Sequence, residues 1–353
     1  LKSEDDIFAA QIEFMDINDV SVVPKGQRQY PYGSVAAQTI GWVGPATRDD
    51  DKELFKHDRL AKYLEGEVCG RRPGVEYVCE AILRGRRGEL VYDIDRKLIR
   101  QSETVFGQDV QLTLDIKLQQ RIENYLTDRT LNPNYSAPSA VVVIEIRSGN
   151  ILALVSTPTY DLNHVRYDYG TLRNDPNEPL WNRAISQQYL PGSSVKPIIL
   201  VAGLQEKVVS ADEIIHCPSA APPQGWPRCL IYRDHHVGHD TKWDNNGRNA
   251  LKGSCNVYFS RLADRIEPEA LQRWLYQFGY GHEVPLNYPP VESDEIRPRQ
   301  LIQAQGQISS TRIPAGTQID SLAQIPPLTK GNRRLFGIGQ GNLWASPLQV
   351  ANS

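Results

Sequence analysis

The chain is 353 residues long and carries 39 Lys plus Arg against 42 Asp plus Glu, a formal net charge of −3. That length supports two or three domains with their own cores, so stability need not rest on metals or disulfides. The near-balance of charge gives no basic footprint for nucleic acid or an anionic membrane surface, and neither is expected as a partner. The longest apolar run, Ile198 to Leu204, falls far short of the roughly 20 residues that cross a bilayer, and no signal peptide opens the chain. The first residues, LKSEDDIFAAQIEFMDI, read as the middle of a fold and the last, SPLQVANS, stop inside a helical pattern, so both ends read as cut.

Up to about residue 135 the chain is rich in charge, Gly and short alternating runs such as GELVYDIDRKLIR, which predicts an elongated β-rich module. Gly33, Gly41, Gly44, Gly85 and Gly88 read as turns and close backbone packing. The pattern then changes at LTLDIKLQQRIENYL, where Asp115 is a candidate N-cap and Leu118, Ile122, Tyr125 and Leu126 fall on one helical face. AVVVIEI and ILALVS flank the turn Arg147-Ser148-Gly149-Asn150 and predict a buried β-hairpin that opens a mixed sheet. Helices are predicted over Ser193–Leu204 and Pro268–Phe278, with Pro268 suited to a first turn and Gly279 just past the end. Between Ile215 and Asn249 the composition turns to Pro, Gly, His, Cys and Asn, the mark of a long structured loop. The fold class expected is α+β, mixed: an elongated β-rich module over residues 1–135 followed by an α/β domain over 136–353.

Two short motifs carry chemistry. In QYLPGSSVKPIIL, Ser193 and Lys196 are three apart at a predicted helix start, which would hold the Lys196 amine near the Ser193 hydroxyl. A serine hydroxyl is a poor nucleophile and needs a base, and a lysine serves only when burial or nearby charge leaves its amine neutral. The apolar PIIL run would supply that burial, and the helix N-terminus adds positive potential beside Ser193. Such a pair alone is weak, because exposed helix faces carry it by chance. Downstream, LKGSCNVYFSRLA supplies Ser254-Cys255-Asn256 at the start of an apolar helical pattern. S-x-x-K followed by an S-x-N triplet is the motif order of penicillin-binding proteins and β-lactamases. Helix capping is the competing role for Ser254.

With these residues and with RQYPYGSVAAQTIGWVG, GVEYVCEAILRGRRG, LALVSTPTYDLN and FGIGQGNLWASPLQVA in the same order, the chain resembles class B penicillin-binding proteins, most closely the elongation type, penicillin-binding protein 2. The resemblance implies a pedestal (dimerisation-like) domain and a transpeptidase domain of β-lactamase-like fold, with its C-terminal part missing from this chain. The third motif, K-T-G or K-S-G, is not reached; TKG at Thr329 to Gly331 has the wrong order. It further implies a serine-type D-Ala-D-Ala transpeptidase that cross-links peptidoglycan stem peptides during cell elongation, sets cell shape and is acylated by β-lactams. Ser193 would be the nucleophile, Lys196 its base, Ser254 a proton relay to the leaving amine, and Asn256 the holder of Lys196 and the substrate amide. The alternatives of the same fold are an incompetent scaffold and a β-lactam sensor. Implied partners are the stem peptide, β-lactams, a membrane glycan polymerase and rod-complex regulators. The implied location is the periplasmic side of the inner membrane, through an N-terminal anchor absent here. Gly337, Gly339, Gln340 and Gly341 either line the cleft or form a loop before a helix.

The five cysteines form no regular framework, but Cys217, Cys229 and Cys255 lie in or near the loop that also carries His235, His236 and His239. Four ligands from that set would close a tetrahedral zinc site tying the loop to the catalytic helix, and the resemblance also points to zinc. A Cys217–Cys229 disulfide with solvated histidines is the other reading. Cys69 and Cys79 either pair or are buried as small apolar residues.

Overall fold

The computed structural model of the protein describes residues 4–17, 28–50, 58–71, 73–133, 138–288, 299–314, 317 and 319–353. The boundary expected after residue 135 lies outside the described residues. Before it, among the described residues, short helices alternate with three antiparallel two-stranded ribbons: β1 (Trp42–Pro45) with β2 (Val68–Arg71), β3 (Gly85–Arg86) with β6 (Val105–Phe106), and β4 (Glu89–Tyr92) with β5 (Leu98–Ser102). A two-stranded ribbon buries little apolar surface and needs other support. In β4 the alternation turns Leu90 and Tyr92 outward, while the carboxylate of Glu89 accepts from Arg100 at 2.7 Å.

Asp115 caps the helix Ile116–Thr127, its carboxylate accepting from the backbone N–H of Lys117 and Leu118. The inward face keeps Leu118, Ile122 and Leu126 of the expected apolar stripe, half-buried, but it centres on two polar residues beside them. Gln119 and Glu123 are its most buried residues, and Tyr125 is exposed. The cause lies in the hairpin. β7 (Ala140–Ile144) and β8 (Ile151–Ser156) pair antiparallel, and among the described residues the sheet holds these two strands instead of a mixed set. The helix covers the second edge of β8: the Gln119 side-chain oxygen accepts from Leu154 N–H at 2.8 Å and its Nε2 donates to Leu154 O at 3.1 Å. A side-chain amide thereby stands in for a neighbouring strand's peptide group, and the edge is left with no bare donor or acceptor there.

The same pair reaches the pedestal. Gln119 Nε2 also donates to Glu123 Oε1 at 2.7 Å, and that oxygen accepts from the Ala36 N–H at 3.0 Å. Ala36 holds a φ of +56°, a left-handed turn that alanine adopts only when its surroundings hold it there. Two residues on, Gln38 Nε2 donates to Pro158 O and Pro179 O, both at 2.8 Å. The YGSVAAQTIG stretch is therefore a joint between pedestal and hairpin.

Beyond the hairpin, the helices Lys196–Gln205, Asn256–Arg265 and Pro268–Gln277 build the main core, with Ile199, Ala202, Phe259, Leu262, Leu271 and Leu275 fully buried. Each such large apolar side chain contributes about 1.5–3 kcal/mol on burial. Pro268 opens its helix and Gly279 follows its end with a φ of +89°, as the sequence predicts.

Replacing Glu123 by Ala leaves the buried Ala36 N–H without its acceptor, so a loss of about 1–3 kcal/mol in unfolding free energy is expected. A urea titration measures it, with Glu123→Gln, which keeps an acceptor oxygen, losing less.

Candidate active site and an adjoining cysteine-histidine cluster

The helix predicted from Ser193 begins three residues later. Gly192–Val195 form a 3-10 turn, and the α-helix starts at Lys196 with Pro197 in its first turn. Proline needs no hydrogen-bond acceptor at that place, so it fixes where the regular helix opens. Ser193 is exposed on the turn, and Ser194 donates its hydroxyl to Pro191 O at 2.8 Å, closing the turn from inside.

Lys196 is 1% exposed. Its Nζ lies 2.9 Å from Ser254 Oγ, 2.8 Å from Ser254 O and 2.7 Å from Asn256 Oδ1. The amine thus reaches Ser193 through an intermediate: Ser254 Oγ lies 3.0 Å from Ser193 Oγ. Burial is the largest influence on the amine and lowers its pKa from 10.5 to about 8. In this arrangement Nζ donates to all three oxygens, and the Ser254 hydroxyl donates to Ser193 Oγ. Deprotonation leaves two N–H donors, for Ser254 O and Asn256 Oδ1, and one lone pair that can accept from the Ser254 hydroxyl. The Ser254 oxygen can then accept from Ser193.

This arrangement depends on an unusual backbone. Ser254 has a φ of +49°, which for a non-glycine residue costs about 1–3 kcal/mol and persists only where the surroundings impose it. The capping role weighed for Ser254 falls to its neighbour: Cys255 is the N-cap of the helix Asn256–Arg265, its Sγ accepting from Tyr258 N–H at 3.3 Å. Ser254 is left free to face the cleft. Asn256 donates its Nδ2 to Arg228 O at 2.8 Å, which orients the amide so that its oxygen meets Lys196.

Behind this turn lie four buried groups. Cys217 Sγ and Cys229 Sγ are 3.7 Å apart, Cys229 Sγ and Cys255 Sγ 3.7 Å, and Cys217 Sγ and His239 Nδ1 3.4 Å. All four ligand atoms fall within 4.8 Å of one another. A tetrahedral zinc with Zn–S near 2.3 Å places its sulfurs about 3.8 Å apart, so the donor set and its spacing fit such an ion. His239 Nε2 donates to Gly253 O at 3.0 Å, which leaves Nδ1 as the ligand nitrogen. Asn245 Nδ2 and the Val257 N–H point at Cys255 Sγ and Cys229 Sγ, both at 3.4 Å, as donors do around thiolates.

Of the candidate histidines only His239 joins the cluster. His235 and His236 are exposed at the end of the short helix Leu230–His235, whose direction carries them away, and the 3-10 turn His239–Thr241 returns the chain to the cysteines. The disulfide reading does not hold either, because all five cysteines are free, Cys69 and Cys79 included, and all are buried.

Residues 139–353 match the penicillin binding protein transpeptidase domain, and residues 3–118 match the penicillin-binding protein dimerisation domain. The chain belongs to the penicillin-binding protein transpeptidase family. It is 32% identical over 340 residues to the peptidoglycan D,D-transpeptidase MrdA of Escherichia coli K12, covering 93% of this chain and 48% of that relative. The MrdA of Haemophilus influenzae is 29% identical over 345 residues, again with 48% of its length covered. This penicillin-binding protein chain therefore spans about half the length of the curated relatives it matches. Among solved structures, Pseudomonas aeruginosa PBP2 in complex with WCK 5153 superposes with a TM-score of 0.67 at 25% identity, over 93% of this chain and 64% of that one. The Helicobacter pylori complex between PBP2 and MreC gives 0.70 at 22% identity, over 98% and 59%, and shows the fold.

Sequence reading brought Ser193, Lys196, Ser254 and Asn256 to one place, but it missed the parts that support them. The Arg228 carbonyl and the Gly253 carbonyl are backbone atoms without a residue-type signal. Asn245 carries a donor amide within the Cys- and His-bearing loop, but its burial against Cys255 appears only in the fold.

Proposed function

We propose that this chain carries the serine acyl-transfer centre of a peptidoglycan D,D-transpeptidase acting on stem peptides that end in D-Ala-D-Ala. The observation that carries the reading is the continuous path from Ser193 Oγ through Ser254 Oγ to the buried Lys196 amine. Ser193 Oγ attacks the carbonyl carbon of the penultimate D-Ala, and its proton passes to Ser254 Oγ as the Ser254 proton passes to neutral Lys196. The Ser193 backbone N–H is one donor to the developing oxyanion. Collapse of the tetrahedral species breaks the peptide bond; the proton returns from Lys196 through Ser254 to the departing amine, and terminal D-Ala leaves. An amine of a second stem peptide then attacks the acyl-enzyme and reverses the proton path, giving the cross-link. A β-lactam enters the same first step and leaves Ser193 acylated. An assembled relay with a depressed lysine pKa supports an enzyme over an inert scaffold.

In the full-length protein a fluorescent penicillin should label one serine, and Ser193→Ala should abolish the label while leaving thermal unfolding near wild type. Labelling retained at wild-type intensity in that variant places the nucleophile elsewhere.

The cysteine-histidine cluster fits zinc held by Cys217, Cys229, His239 and Cys255, which would cross-link the loop to the start of the Asn256 helix. Such an ion would act as a structural tie. Cys255 stands between Ser254 and Asn256, and Cys229 follows Arg228, whose carbonyl holds Asn256. Elemental analysis should find about one zinc per chain. His239→Ala should lower that occupancy and the acylation rate together, whereas His236→Ala should change neither.

The same reading places the protein on the periplasmic face of the inner membrane and sets the pedestal against rod-complex regulators and a membrane glycan polymerase. The H. pylori relative solved with MreC supports the first of these. No described helix is long and apolar enough to cross a membrane, and the anchor is inferred from the family.

A further inference from the structure

The glycine-rich stretch from Gly337 to Gly341 sits between the two halves of the proposed catalytic centre. On one side it meets the nucleophile turn: the Gly192 N–H, one residue before Ser193, donates to Gly339 O at 2.9 Å. A Cβ on Gly339 would overlap the Gly192 carbonyl oxygen and amide nitrogen and lie 2.6 Å from its carbonyl carbon, so backbone meets backbone with no room for a side chain. A few residues further on, Ala345 and Tyr189 exchange two backbone bonds, at 2.8 and 2.9 Å, so the brace grips the approach to the turn at a second point. On the other side it meets the Asn256–Arg265 helix: a Cβ on Gly337 would overlap Phe259 O and lie 2.6 Å from Ala263 Cβ. That helix opens directly from Ser254 and Asn256.

The geometry points to Gly339 as a positioning residue for the nucleophile. Its contact with Gly192 fixes the height of the Ser193 turn over the Asn256 helix, and with it the 3.0 Å spacing of Ser193 Oγ and Ser254 Oγ. Gly339 acts through Gly192, whose backbone it meets. Its φ of +67° alone would explain a glycine, but Gly341 shares that property at +75°, and the atoms nearest a Cβ there are side-chain atoms of Leu335 at 3.2 Å and beyond. Gly341 thus carries the same backbone demand without the contact to the turn, which separates the two roles.

This inference rests on the acyl-transfer reading, and the test keeps the two apart. In the full-length protein, the acylation rate constant and the pre-covalent dissociation constant for a penicillin are measured for wild type, Gly339→Ala and Gly341→Ala. Both variants lose stability from the positive φ. Displacing a nucleophile by about 1 Å costs on the order of 100-fold in rate, so Gly339→Ala should lose about that factor in the covalent step with the dissociation constant changed less than about threefold. Gly341→Ala should stay within about threefold of wild type in both constants. Equal acylation by the two alanine variants overturns the positioning role, whereas wild type that takes no label on Ser193 sinks the acyl-transfer reading itself. Should Gly339→Ala fail to fold, amide hydrogen exchange on the wild type decides: the Gly192 N–H should be protected like the amides of the Asn256 helix, and exchange at the rate of an open loop contradicts the brace.

Discussion

The burial of one amine organises this molecule. An ammonium withdrawn from water and left unpaired is so unfavourable that a buried lysine either finds several partners or loses its proton. Lys196 finds its partners, three oxygens around Nζ, and its pKa falls to about 8, within reach of deprotonation. All three oxygens come from one short segment, Ser254 to Asn256. The turn that supplies them is strained at Ser254 and has to be held from outside.

Holding that turn explains much of the surrounding structure. Beneath it, Cys255 caps the following helix and joins Cys217, Cys229 and His239. Beside it, the Arg228 carbonyl fixes the Asn256 amide. Above it, the glycine stretch around Gly339 holds the Ser193 turn through the Gly192 N–H. The core under these elements is packed closely enough that Gly203 abuts the Leu262 side chain, so the helices bearing Lys196 and Asn256 have little freedom to shift against each other. On the far side, the Gln119–Glu123 pair joins the pedestal joint at Ala36 to β8, giving the two parts of the chain a polar, directional connection.

The residues of the proposed acyl-transfer centre were legible because their spacing is local. Three positions from Ser193 to Lys196 and two from Ser254 to Asn256 each describe one turn at a helix start, and motif order supplied the link between them. What stayed hidden depends on long-range folding. Three histidines within five positions are equivalent in sequence, and only the 3-10 turn at His239 decides which one faces the cysteines. Apolar periodicity placed Tyr125 inward and overlooked Gln119 and Glu123, because it does not register a polar residue that satisfies a strand edge. The contact between Gly339 and Gly192 joins segments far apart in the chain, and no spacing rule encodes it. The pedestal read as β-rich from its alternation, yet its strands are short ribbons interleaved with helices.

The central claim is that Lys196 works as a neutral amine through Ser254. Its most direct test is the rate of acylation of the full-length protein by a β-lactam as a function of pH. Below the amine's pKa the lysine is protonated and cannot accept a proton, so the rate should rise with pH and level off above about 8. A rate that stays flat across that range, or falls as pH rises through it, would contradict the account.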